Sequence, residues 1–387
     1  MDSKRRICVV TGSRAEYGLL FWVIHDLYHA EDVDLQLVVT GQHLSPEFGR
    51  TASVIELDGF PISDQVEMLL SSDTTRGVTK SVGLGVICFA DTYARLAPDI
   101  VVLLGDRFEI FAAAQAAMIA NIPIAHVAGG DTTEGSFDES IRHCITKMAH
   151  LHFVTNGLSA RRLRQMGEDP ANIYVVGNPG LDNIRRLRLL ARVELEQELG
   201  IELRKKNFLI TFHPVTLETG SSEAQLAELL AALDSFADTT GLFFTMPNSD
   251  PGGRKLAATL SQWVAGRPHA RVFTSLGQVR YLSLMAHVDA VVGNSSSGLY
   301  EAPSFRIPTV NIGNRQQGRL AADSVLHCAP DRQAIAAALR TALEFDCSRT
   351  VNPYGDGNSA ARIVEALTQI SNPRALLKKH FHMMSEV

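Results

Sequence analysis

The sequence predicts an α/β protein made of two doubly wound, Rossmann-like domains. Strand-like and helix-like segments alternate from end to end, which is the pattern of βαβ units around a parallel sheet. The alternation occurs twice, in two series of similar layout separated by one charged stretch. A chain of 387 residues also exceeds what a single hydrophobic core usually holds.

In the first series, Ile7–Val10 reads as the opening strand. The run is short and ends in Thr-Gly-Ser-Arg, unlike a signal peptide. An amphipathic stretch, Tyr17–His29, predicts a helix, and Leu35–Thr40 the next strand. Ile100–Leu104 and Ile122–Val127 are apolar throughout, as in strands buried on both faces. Helices are expected over Phe108–Ala120 and Ser140–His150, and further strands over His152–Thr155 and Ile173–Val176. Past Asn178-Pro179, the Leu/Arg/Glu-rich stretch at about Asn183–Lys206 has no strand signal and reads as the crossover. The second series follows, with strands at Phe208–Phe212, Leu242–Thr245, Val272–Thr274, Ala290–Val292, Thr309–Ile312 and Val325–His327. Asn358-Ser359 are good N-cap residues for a last helix, and the tail from Leu376 reads as surface. The expected division is 1–180, 181–360, and a C-terminal helix and tail, 361–387, packing back toward the first domain.

Composition narrows the function. A hydrophobic content of 45% and a charged content of 20% describe an ordinary soluble protein. The net charge of −6 argues against a nucleic-acid partner, and no apolar run is long enough to span a bilayer. Five scattered cysteines, with no Cys-x-x-Cys pair, signal neither a disulfide framework nor a zinc site. A reduced cytoplasmic setting is expected, without a metal.

The polar residues concentrate at strand ends, where open α/β sheets bind ligands. Gly105-Asp106-Arg107-Phe108-Glu109 and the stretch from His126 to His143 bring Asp106, Asp131, Glu134, Asp138 and Arg142 beside two apolar strands. Helix capping accounts for one acid per helix and not for this density. Three places suit an anion. Thr11-Gly-Ser-Arg14-Ala-Glu16-Tyr-Gly lacks both G-x-G-x-x-G and a P-loop lysine, which speaks against a nicotinamide dehydrogenase. Arg14 there is either a phosphate or sugar contact or part of a plain turn. Gly293-Asn294-Ser295-Ser296-Ser297-Gly298 follows an apolar strand and opens a helical stretch, expected over Ser297–Ser304. Its amides and hydroxyls suit a diphosphate, and Glu301 further on suits two ribose hydroxyls. Gly313-Asn-Arg315-Gln offers a cation. His213-Pro214 and Pro247-Asn248-Ser249-Asp250 each close a strand and are either ligand contacts or turns.

Taken in order, these motifs resemble the hydrolysing UDP-N-acetylglucosamine 2-epimerase family, in its sialic-acid and legionaminic-acid branch. The carriers are Thr11-Gly-Ser-Arg-Ala-Glu-Tyr-Gly, Thr40-Gly-Gln-His43-Leu, Gly105-Asp-Arg-Phe-Glu, Asp138-Glu-Ser-Ile-Arg-His-Cys-Ile-Thr-Lys, His213-Pro-Val-Thr, Gly293-Asn-Ser-Ser-Ser-Gly and Gly313-Asn-Arg-Gln. The resemblance implies a GT-B-like fold with the domains facing a central cleft, no cofactor, and a homodimer or homotetramer. It implies elimination of UDP to a 2-acetamidoglycal, then water addition. Breaking the bond to UDP needs cations and N–H donors, and an oxocarbenium-like sugar needs carboxylates. Arg14, His213, Ser295, Ser296 and Arg315 fit the first task. Asp106, Asp131, Glu134 and Asp138 fit the second, with Arg142 orienting Asp138 at i,i+4. Glu16, His43, Arg107, Asn248 and Glu301 complete the implied substrate contacts.

One departure matters. Many relatives carry a catalytic acid in His-Ile-Glu-Gly-Gly-Glu at the position that is Ala128 here. Asp131 and Glu134 are the candidates to replace it. UDP-N-acetylglucosamine is the default substrate, with UDP-N,N′-diacetylbacillosamine close behind. A GT-B glycosyltransferase and a non-catalytic nucleotide-sugar sensor are the rival readings.

Overall fold

The computed structural model describes residues 4–72, 74–132, 137–214, 221–247 and 253–383. The chain divides into two compact units, one of residues 1–183 with 354–387 and one of 184–353.

The first unit is built on seven parallel strands: β1 (Arg5–Thr11), β2 (Val33–Thr40), β3 (Ile62–Val66), β4 (Ile100–Leu104), β5 (Ile124–Val127), β6 (Leu151–Val154) and β7 (Ile173–Val175). Their order is β3-β2-β1-β4-β5-β6-β7. The chain therefore steps outward from β1 in one direction, then returns to start β4 on the other side. This places a topological switch point at the carboxyl ends of β1 and β4. The core gathers Ile7, Val9, Leu20, Ile24, Leu37, Val102 and Phe153, together with Ala360, Ile363 and Leu367 of the helix Ser359–Thr368. Full burial of Ile363 and Leu367 stabilises the fold by roughly 1.5–3 kcal/mol each. Arg5 Nη1 donates to the carbonyls of Leu367 and Thr368, at 2.8 and 2.7 Å, tying the first strand to the last helix.

Two elements here differ from the sequence expectation. β3, Ile-Ser-Asp-Gln-Val, is a short alternating strand at the sheet edge and carries little apolar signal. The helix Thr75–Leu96 contains Gly77, Gly83 and Gly85, which weaken its propensity. Gly85 is needed for packing, because a Cβ there would lie 2.9 Å from that of Ala112 on the helix Phe108–Ile119. The last helix is also capped otherwise than expected. Asn358 makes no side-chain cap bond; the buried Asp182 carboxylate accepts from the amides of Ser359 and Ala360, at 2.9 and 2.7 Å. The tail is not simply surface, since Lys379 Nζ donates to Ala149 O at 2.7 Å.

The second unit holds six parallel strands: β8 (Lys206–Thr211), β9 (Thr240–Thr245), β10 (Ala270–Phe273), β11 (Ala290–Gly293), β12 (Thr309–Ile312) and β13 (Val325–Cys328). Their order, β10-β9-β8-β11-β12-β13, puts the switch point between β8 and β11. Phe208, Ile210, Leu229, Leu242, Phe244, Val292 and Leu339 fill its core. Both units are thus doubly wound, and together they make the chain GT-B-like in fold class. Among the described residues no helix is long and apolar enough to cross a membrane. Nor does any group of three His, Cys, Asp or Glu there suit a metal ion.

Candidate active site

In the first unit the acids meet at the carboxyl ends of β4 and β5. Gly105 leaves β4 in the left-handed region, at φ 76°, and turns the chain so that Asp106 follows immediately. His126, fully buried on β5, holds this turn. Its Nε2 lies 2.8 Å from Gly105 O, so Nε2 carries the proton and donates. Its Nδ1 lies 3.2 Å from Thr146 Oγ1, within reach of the helix Phe137–Met148. Burial lowers the His126 pKa to about 3, so the ring is neutral at working pH.

Arg142, from the second turn of that helix, joins the cluster. Its Nη2 pairs with Asp106 and its Nη1 donates to Asp131 O at 2.6 Å. Burial pushes the Asp106 carboxyl above its ordinary range; Arg142 pulls it back and Asp138 adds to the rise. Asp131 is occupied differently. Its Oδ1 accepts from Thr155 Oγ1 at 2.7 Å and Ser159 Oγ at 2.5 Å. Those hydroxyls saturate one side of the carboxylate and fix the loop in place. Between Asp106 and Asp131 the chain passes through Ala128, also in the left-handed region at φ 63°. An alanine there is strained by roughly 1–2 kcal/mol relative to glycine. Glu134 lies outside the described residues.

Around the β1–β4 switch point stand Arg14, Glu16, His43 and Arg107. Arg14 opens the helix Arg14–His29 and is exposed. Glu16 is enclosed, one oxygen accepting from Gly12 N at 2.7 Å and the other without a hydrogen bond. Arg107 Nη2 donates to Glu109 Oε1 at 2.8 Å, and Glu109 is fully buried. Burial, then the Glu109 charge, pushes the Glu16 carboxyl up to about 8. Two buried carboxylates sharing one guanidinium thus retain a proton at neutral pH. His43 is fully buried between Thr11 Oγ1, at 3.1 Å, and Thr51 Oγ1, at 2.8 Å. Burial lowers its pKa to about 4.

In the second unit the β8 and β11 ends are stitched together by Asn294. Its Oδ1 accepts from His213 N at 2.7 Å and its Nδ2 donates to His213 O at 2.9 Å. Gly293 makes this possible. Its φ is 128°, and a Cβ there would collide with the Thr211 carbonyl. Arg315 Nη1 and Gln316 Nε2 both donate to Asn294 O, at 3.1 and 2.8 Å. Arg315 therefore sits against the Gly-Asn-Ser-Ser-Ser loop. Ser295 and Ser296 are half-buried, and Ser297 Oγ is 2.6 Å from the Tyr281 hydroxyl. The expected helix over Ser297–Ser304 is one α-turn, Ser297–Tyr300, followed by a 3₁₀ turn, Ala302–Phe305. Its dipole is correspondingly small. Glu301 Oε2 is enclosed without a hydrogen bond, and burial pushes its pKa up to about 7. Asn248 lies outside the described residues.

The structure therefore gathers Asp106, Asp131 and Arg142 in one unit and His213, Ser295, Ser296 and Arg315 in the other. Sequence reasoning missed Thr155 and Ser159, which hold Asp131, and Tyr281, which braces Ser297. Thr155-Asn156 directly ends an apolar strand, so that position carried a signal. Tyr281, in mid-helix, carried none.

Residues 25–368 match the family described as UDP-N-acetylglucosamine 2-epimerase. The GDP/UDP-N,N′-diacetylbacillosamine 2-epimerase (hydrolyzing) of Campylobacter jejuni is 39% identical, over 84% of each chain. The UDP-N,N′-diacetylbacillosamine 2-epimerase (hydrolyzing) of Legionella pneumophila is 36% identical, over 97% of this chain and 98% of that one. The UDP-N-acetylglucosamine 2-epimerase of Neisseria meningitidis is 30% identical, over 95% and 96%. A crystal structure of UDP-GlcNAc 2-epimerase from Neisseria meningitidis bound to UDP-GlcNAc superposes with a TM-score of 0.78 at 20% identity, covering 94% of this chain and 100% of that one.

Proposed function

The chain belongs to the UDP-N-acetylglucosamine 2-epimerase family, and from that premise we propose that it converts a UDP-N-acetylhexosamine to the free 2-epimer plus UDP. UDP-N,N′-diacetylbacillosamine is the first candidate substrate. The relatives at 39% and 36% identity act on it by name, which moves it ahead of UDP-N-acetylglucosamine. The Neisseria meningitidis relative keeps UDP-N-acetylglucosamine as the second candidate. The 34% identity to polysialic acid biosynthesis protein P7 of Escherichia coli supports a role in supplying sialic-acid-type sugars. We further propose a reduced cytoplasmic setting, in keeping with the scattered cysteines, and, on the family resemblance, a homodimer or homotetramer.

The observation that carries the reading is the Asp106–Arg142–Asp131 arrangement at the ends of β4 and β5. A base removes the proton from sugar carbon 2 while UDP leaves carbon 1 with the bonding electron pair. A 2-acetamidoglycal remains. Water then supplies hydroxyl to carbon 1, and a proton is delivered to carbon 2 on the opposite face. Inversion needs an acceptor on one face and a donor on the other, a task two carboxyl groups can divide. Asp106 and Asp138 take these roles. Burial raises the Asp106 carboxyl above its ordinary range, against the pull of Arg142, which favours proton exchange with the sugar. Asp131, its Oδ1 already accepting from two hydroxyls, serves as a positioning residue for Arg142 and leaves the base role vacant at Ala128 to the other acids. The Gly293–Ser297 loop, His213 and Arg315 hold the diphosphate, and Glu301 accepts from the ribose.

The test is turnover of both UDP-sugars in deuterium oxide. Released free 2-epimer must carry deuterium at carbon 2, and the faster sugar identifies the substrate. UDP release without epimerisation, transfer to an acceptor, or a product lacking that deuterium would overturn the reading.

A further inference from the structure

A second charged cluster in the first unit lies away from the acids. Glu168 is fully buried yet receives three donors: Lys147 Nζ at 2.5 Å, His152 Nε2 at 2.9 Å and Lys379 Nζ at 2.6 Å. Burial alone would raise its pKa; hydrogen bonds from His152, Lys147 and Lys379 bring it down to about 2. Lys379 comes from the C-terminal tail. The same Nζ donates to the carbonyls of Lys147 and Ala149, at 2.8 and 2.7 Å. These carbonyls stand at the end of the helix Phe137–Met148, where the last four have no intrahelical donor. The tail is anchored beyond Lys379 too. His382 N donates to Gly167 O at 2.9 Å, and the Phe381 ring lies under the Lys147 ammonium, 5.0 Å from its centroid.

We propose that Lys379 is a positioning residue for the epimerase reaction: it clamps the carboxyl end of the Phe137–Met148 helix and thereby sets the register of Arg142, midway along it, and of Asp138 in its first turn. The inference rests on the functional reading above for its kinetic consequence only. A twelve-residue helix is a rod of about 18 Å, so a fixed end fixes the whole. The charge also has the correct sign, a cation against the negative end of the helix dipole. Glu168 by itself would repel that end; Lys147 and Lys379 both pair with it, and Lys379 also donates to the helix-end carbonyls. Midway along the helix Arg142 must satisfy Asp106 and the Asp131 carbonyl at once, which leaves little tolerance for sliding.

The experiment compares Lys379→Met with Lys379→Arg in the full chain. Hydrogen exchange at residues 141–148 reads the clamp without any substrate, and UDP release reads its effect on turnover. Lys379→Met should speed exchange in that helix and lower kcat about 10-fold with KM within about twofold, since small misplacements of reacting groups act on the chemical step. Lys379→Arg should restore most of both. Unchanged exchange together with wild-type kcat would overturn the proposal, as would a loss confined to KM. If the wild type releases no UDP from either sugar, the functional reading falls while exchange still decides the clamp. Should Lys379→Met not fold, Lys379→Gln keeps a polar donor at this position but removes the charge and shortens the reach to the helix end. It must then show faster helix exchange and a kcat-only loss, and wild-type values there would equally overturn the proposal.

Discussion

Replacing Asp106 by Asn separates chemistry from structure at the centre of the first-unit site. The amide keeps the shape and one acceptor oxygen but abolishes proton exchange and the negative charge facing Arg142. Removing one partner of a buried ion pair costs about 3–5 kcal/mol when the remaining charge is stranded. Arg142 is not stranded here, because Nη1 keeps the Asp131 carbonyl and the Asn oxygen still accepts. The Asp106 side chain is also 22% exposed. The structural loss should therefore be nearer the ~1.5–3 kcal/mol of a single charged hydrogen bond, a fall in melting temperature of several degrees. Turnover should fall about 100-fold or more, the usual worth of a positioned acid or base. The assay is UDP release at 25 °C, where the variant remains folded, with UDP affinity measured alongside by calorimetry. UDP affinity should be unchanged. A folded variant that keeps turnover within about threefold of wild type would refute the catalytic role and reduce Asp106 to an anchor for Arg142.

Three further outcomes are expected. Arg315→Ala should weaken UDP binding by about 10-fold or more, because a charge-assisted hydrogen bond contributes ~1.5–3 kcal/mol; calorimetry showing unaltered affinity would move the diphosphate elsewhere. Gly293→Ala should destabilise the second unit by at least ~2 kcal/mol and abolish UDP binding, since the methyl group meets the Thr211 carbonyl at a disfavoured φ; denaturant melts test this. Glu16 gives a pH signature: its folded pKa of about 8 lies above the ordinary 4.5, so its stabilisation is complete below pH 4.5 and is lost as pH rises through about 8. Glu16→Gln mimics the protonated form, so it should match wild type at pH 5 and be the more stable protein at pH 9. Equal destabilisation at both pH values would contradict the shift.

The strands with continuous apolar runs were legible because burial on both faces leaves a composition signal that no helix of that length shares. β3 was not, since an edge strand of five residues with alternating exposure looks like a loop. At the site, Asp106 and Asp131 could be picked out because each closely follows such a run. What holds Asp131 could not. Its hydroxyl donors, Thr155 and Ser159, lie 24 and 28 residues further along the chain, and no local pattern links them. Glu16 and His43 show the converse. Both stand in motifs that resemble substrate ligands, yet the fold encloses them against Gly12, Thr11 and Thr51. A motif names residue types, and only the packing shows which of their atoms the fold itself already engages.

The return of residues 354–387 to the first unit sets an order of events during synthesis. When residue 183 leaves the ribosome, the β1–β7 sheet has all its strands, but the place of Ala360, Ile363 and Leu367 against Ile24 and Leu27 stays open to water. Asp182 is then a carboxylate without the Ser359 and Ala360 amides it later caps. Translation of 184–353 holds the chain in that condition for roughly 10–30 s at about 5–20 residues per second. The second unit is continuous and has no such wait. A chain ending at residue 353 and released from the ribosome should thus display a finished second unit and an unsealed first one, and it is the first unit that a chaperone or protease would meet.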